Sequence, residues 1–213
     1  MTMFGKFKYA CALLIAPLVV PSAASAATII GGGTSVTVTS APALTGLGLS
    51  FSPFGTASAA TVGGVPVATF LITGGVFDPV TGNSIVRHDG SGLLFTAGAN
   101  RLSVGNFIID TAARTVSATA IANGTTVGTV PLFTIGTGTS LILTSQAAGA
   151  FTSVFGAPNL TGTTFGTADI NAVVAPTAGA VPEPATWGMM ILGFGVIGAV
   201  SRNQRRRRSV AFA

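Results

Sequence analysis

His88, Asp89 and Ser91 fall within four positions of one another in SIVRHDGSG, and His88 is the only histidine in the 213-residue chain. Imidazole, carboxylate and hydroxyl are the groups of a hydrolase triad, in which the ring takes the serine proton and the carboxylate orients the ring. The spacing argues against that use. Neighbours in an extended strand point to opposite faces, and no GxSxG elbow is present to raise a serine above a sheet. Asp89-Gly90 is itself a hairpin signal, so the plainer reading of this stretch is a polar turn. One histidine and the scattered Asp78, Asp89, Asp110 and Asp169 form neither a metal-ligand cluster nor an acidic calcium loop. The glycines of IIGGGT, Ile30 to Thr34, lack both a Walker lysine and GxGxxG spacing, and read as a flexible start to a mature chain. No catalytic residue and no metal site is expected.

The elements around these residues are β-rich. TSVTVTS, Thr34 to Ser40, alternates with Val36 and Val38 on one face, as a half-buried strand does. RLSVGNFIID and TVSATAIA read as strands joined by a short DTAAR connection, and Asn123-Gly124 supplies a type I′ turn to TTVGTVPLFTI. Pro131 argues for an edge or a bulge there. SLILTS follows, then SQAAGAFTSVFGAP, where Ala147, Phe151, Val154 and Phe155 share one helical face. Thr144 or Ser145 can cap that helix and Gly156 can end it. LTGTTFGTADINAVV returns to strand. No repeat of fixed period is present. The expected fold is mainly β, an antiparallel sheet, sandwich or barrel with one short helix, over 27–174.

Composition restricts the partners. Both termini look like processing segments. Lys6 and Lys8 precede an apolar run from Ala10 to Val20, and Ala24-Ser25-Ala26 offers the small residues that signal peptidase accepts, with Ala24 and Ala26 just before the cut. Residues 1–26 therefore read as a signal peptide handled by the secretion machinery. The only cysteine, Cys11, lies inside it, so the remaining chain has no thiol or disulfide chemistry. Between Ala27 and Val181 there are three cations (Arg87, Arg101, Arg114) and four anions (Asp78, Asp89, Asp110, Asp169), a net of 3 − 4 = −1. A nucleic-acid partner needs a basic patch on the folded body, which this charge set does not supply.

The body sequences GGVFDPVTGNSIVRHDGSGLLFTAG, NFIIDTAARTVSATA and LILTSQAAGAFTSVFG, in that order, resemble the HtaA-type domain of bacterial surface haem-uptake proteins across roughly Leu71 to Val174. That resemblance implies a β-rich scaffold and a small-ligand site in which haem is held by a tyrosine assisted by a histidine. The region has no tyrosine, which leaves His88 as the possible ligand-binding residue. No cofactor other than this haem is implied.

The C-terminal stretch VPEPATWGMMILGFGVIGAVSRNQRRRR differs from everything before it. After a linker at 175–181, Pro182 and Pro184 fix φ and bias the residues before them toward extended backbone, giving a stiff handle around Glu183. Pro184 is also tolerated in a first helical turn. The residues from Ala185 to Ser201 are uncharged and would span about 25 Å as a helix, near the lower limit for a bilayer. Trp187 sits where an interfacial aromatic belongs, while Arg202, Arg205, Arg206, Arg207 and Arg208 would stay cytoplasmic by the positive-inside rule. Residues 185–201 are thus expected to be a single transmembrane helix, with 209–213 as a terminal tail. The combination at 182–208 is similar to the PEP-CTERM sorting signal in its PEPxxWA form, with Gly188 after Trp187 in place of the usual alanine. The resemblance implies a Gram-negative bacterium and an inner-membrane precursor whose Pro182, Glu183, Pro184 and Trp187 are recognised by the transpeptidase exosortase. It further implies release toward the surface, with exopolysaccharide as a possible associate. The same tail class occurs on proteins labelled ice-binding, although TVTVT here is not part of a regular Thr-x-Thr array. The sequence thus describes an exported, sorted, non-enzymatic surface or matrix protein, with a haem or other small-ligand binding module as the alternative.

Overall fold

The computed structural model describes residues 26–176 and 184–209. Eleven strands run through the body: β1 (Ala27–Thr37), β2 (Ser50–Gly55), β3 (Ser58–Val62), β4 (Val65–Leu71), β5 (Gly74–Phe77), β6 (Ser84–Ala97), β7 (Asn100–Asp110), β8 (Thr115–Ala122), β9 (Thr125–Ile135), β10 (Ser140–Leu143) and β11 (Thr164–Val174). Helix α1 (Ala41–Gly46) follows β1, α2 (Ser145–Phe155) lies between β10 and β11, and α3 (Pro184–Ser209) follows the body.

All the strand pairings are antiparallel, and the path β11-β10-β9-β8-β7-β6-β5-β1 returns to β11, closing a ring of those eight strands. Closure removes the sheet edges along this path except beside the short β10. It depends on close backbone approach at Gly32, where φ is +113° and a Cβ would stand 2.0 Å from the Asn171 carbonyl oxygen. Strands β4 and β3 continue from the far half of β1, and β2 pairs the far half of β6, forming a flap on the wall.

Side chains follow the alternation expected from the sequence. Val36 and Val38 are buried while Ser35 and Thr37 are partly exposed. Asn123 and Gly124 both adopt positive φ, as a type I′ turn requires. Pro131 sits beside a bulge against β8, on a stretch of β9 whose other side β10 does not reach. The Thr144 hydroxyl accepts from the Ala147 amide at 3.1 Å, and Gly156 ends α2 in the left-handed conformation. Ala147, Ala148, Phe151 and Val154 of α2 face the interior at one end of the ring, where Phe151 meets Phe95 edge-on.

Three expectations are corrected. Asp89-Gly90 is not a hairpin turn: it lies inside the 14-residue β6 at a bulge against β7, where Gly90 takes φ +75° and its amide donates to Asn106 Oδ1. A left-handed glycine serves a bulge as readily as a turn. IIGGGT is not a flexible start either, because both edges of β1 are paired there and its backbone is held by β11, β4 and β5. Finally, 185–201 is helical as part of α3, but among the described residues no helix is long and apolar enough to cross a membrane. Gly188, Gly193, Gly195 and Gly198 dilute the apolar stretch, and beyond Ser201 the helix runs into arginines.

Candidate ligand cavity

The ring encloses a cavity of about 790 Å³, within the range of small-molecule sites. Its floor is made by α2 and the strand ends beside it, through Ala147, Phe151, Phe95 and Leu143. Every exposed residue that lines it belongs to the opposite end or to β11: Arg114, Gly138, Thr139, Thr167 and Asp169. The mouth therefore lies between β11, the β7–β8 turn and the 3₁₀ turn Thr137–Thr139. β10 is short and pairs β11 only up to Thr167, which leaves the rest of that β11 edge without a strand beside it.

His88 lines this cavity and is 1% exposed. Its Nε2 hydrogen bonds to Thr34 Oγ1 at 2.8 Å, joining β6 to β1 across the interior. Phe70 packs edge-on to the imidazole, and Phe107 packs edge-on to Phe70 at 5.0 Å between centroids. Nδ1 is buried with no hydrogen-bond partner. Burial is the dominant influence and pushes His88 below the usual imidazole range; the nearby Phe107 backbone and the Asp89 carboxylate oppose it more weakly. The ring is thereby favoured neutral.

The triad groups are brought together in sequence but not in chemistry. The Ser91 hydroxyl is fully buried and donates to the His88 carbonyl, not to the ring. Asp89 points outward, where Oδ2 accepts from Thr73 Oγ1. No group of three or more His, Cys, Asp or Glu able to hold a metal occurs among the described residues. Haem would need an iron ligand from this cavity. The donors present are one imidazole whose Nε2 is engaged by Thr34 and whose Nδ1 is enclosed, with no tyrosine between Ala27 and Val174. That set does not fit an iron centre of the kind the resemblance implied.

The other expected site residues lie at the termini. Ala26 is exposed, while Ala24, Pro182 and Glu183 lie outside the described residues. Pro184 is the first residue of α3, consistent with its tolerance in a first turn. Trp187 is 52% exposed, Arg202 is exposed, and Arg205, Arg206, Arg207 and Arg208 continue the helix. The sequence reading missed the cavity and its rim residue Arg114. The available signal was Arg114 in the DTAAR connection, one of three cations between Ala27 and Val181.

Residues 180–207 match the family model described as the PEP-CTERM protein-sorting motif. The motif implies an exported, membrane-anchored precursor that exosortase processes. No curated protein gives a significant match. Among solved structures, the chain is similar to the C-terminal domain of HtaA from Corynebacterium glutamicum, with a TM-score of 0.53 and 14% identity over 71% of this chain and all of that one. At this identity the likeness is one of fold. It extends to the β-rich body the resemblance expected from the sequence.

Proposed function

We propose that the chain is a sorted cell-surface or matrix protein: a self-contained β-barrel carried outward on a C-terminal exosortase signal, with a binding or structural role and no catalytic one. The observation that carries this reading is the sorting motif at 180–207, attached to a body whose core lies wholly between Ile29 and Ala168. Pro182, Glu183 and Pro184 are its recognition handle. The exposed apolar side chains of α3 hold the precursor at the inner membrane, with the arginines at the far end of the helix. Support for anchorage comes from Trp187, Met189, Leu192, Phe194 and Ile197, each at least half exposed; apolar side chains displayed together need another environment to cover them. Replacing both prolines, Pro182→Ala with Pro184→Ala, should leave the protein in the membrane fraction, whereas wild type reaches the surface or the medium. Equal distribution of the two would overturn the reading.

The cavity favours a second role, in which the barrel is a small-ligand module. Haem is the ligand to exclude first. Mixing the protein with haemin should give no Soret band that depends on the barrel; a band lost in His88→Ala would instead make haem the ligand.

A further inference from the structure

The cavity has one floor and one mouth, and they differ in chemistry. Toward α2 it is lined by aliphatic and phenyl groups, among them Leu93, Leu132, Leu143 and Phe151. Its interior polar contact, His88 to Thr34, is made through Nε2, while the buried Nδ1 has no partner. At the mouth stands Arg114, the only cation lining the cavity among the described residues. Its backbone is left-handed at φ +54°, and its Nε donates to the Ile135 carbonyl at 2.8 Å. That bond fixes the base of the side chain and leaves the outer edge of the guanidinium toward solvent. Asp169, Thr111 and Thr139 complete the polar rim.

The mouth also has a direction. β1 begins and β11 ends at this end of the barrel, where the Ala175 amide bonds to the Thr28 carbonyl. From there 175–183 leads to α3 at Pro184. Nine residues reach at most about 30 Å. A bilayer holding α3 would therefore lie within that distance of the mouth, while α2 closes the far end.

From these observations we infer that the barrel takes a single-chain anionic amphiphile, with the chain in the Leu93–Leu132–Phe151 interior and the carboxylate or phosphate on Arg114. This rests on the small-ligand reading above and names its ligand class. An eight-stranded barrel is wide enough to hold one small ligand where its side chains leave it hollow, a guanidinium binds such headgroups in a planar fork, and the interior offers apolar surface in place of water.

The test uses the full chain in lipid nanodiscs with a photoreactive palmitate analogue, read by peptide mass spectrometry. Labels should fall on strands β6, β9 and α2. They should drop about tenfold in Arg114→Gln and disappear in Leu132→Trp, which fills the interior. The smaller change Leu143→Phe, which should reduce labelling, covers the case in which the tryptophan prevents folding. Barrel labelling that is unchanged in Arg114→Gln and equal for the corresponding photoreactive alcohol would overturn the anionic class while leaving a ligand module standing. Labels confined to α3, or barrel labels that persist in folded Leu132→Trp, would overturn entry into the cavity altogether.

Discussion

The barrel and the C-terminal helix are both rich in apolar side chains, but they dispose of them in opposite ways. In the barrel, Leu102 on β7 is 1% exposed and Val86 on β6 fully buried, because the ring curls one face of each strand inward. In α3, Leu192 is 65% and Phe194 69% exposed, with no part of the described chain packed over them. Glycine shows the same divide. A Cβ on Gly32 would run into the Asn171 backbone, whereas one on Gly188 would meet nothing within 4 Å. Apolar composition alone does not make a core. What separates the regions is whether the chain supplies a covering partner, and the barrel does so for itself while the helix is left for a different solvent.

Substitutions at matched positions can break or sharpen this contrast. The largest effect is expected at the seam: Gly32→Val forces apart β1 and β11 and should cost the body about 4 kcal/mol or prevent its folding. Gly188→Val should change body stability by less than about 0.5 kcal/mol. Equal effects in urea unfolding would erase the distinction. Next is the core, where Leu102→Ala should cost about 3 kcal/mol through lost burial and a cavity, while Leu192→Ala leaves the barrel transition in place. A barrel transition shifted as much by Leu192→Ala would mean that the helix is part of the core.

The smallest effect is one of pH. His88 has a folded pKa below its usual 6.5, so the unfolded chain binds a proton more readily. Stability from the buried neutral ring is complete above 6.5 and is lost as pH falls from there through the folded value. The urea midpoint should therefore drop between pH 7.5 and 5, and His88→Gln should flatten that drop. Identical slopes in the two proteins would show that the buried imidazole is not responsible.

Local order was legible in the sequence, and long-range closure was not. β7, β8 and β9 could be read from alternation and from Asn123-Gly124, and α2 from the spacing of Ala147, Phe151 and Val154, because each signal lies within a few residues. The pairing of Thr34 with Ile170 joins opposite ends of the body and leaves no local pattern. For the same reason, the Ile30–Thr34 part of β1 reads locally as a loose glycine segment: its glycines serve neighbours that are distant in sequence. Asp89-Gly90 carried a true signal for left-handed backbone, but that signal does not distinguish a bulge from a turn. His88 could be singled out as the lone imidazole. Its partner Thr34 and the cavity could not, since inward alternation is the same whether a barrel is filled or hollow.

The most direct test of the account is the mass of the mature C-terminus recovered from cells with and without exosortase. The account predicts a chain ending near Pro182 when the enzyme is present and an intact tail through Ala213 when it is absent. An intact tail in both, or the same truncation in both, would contradict it.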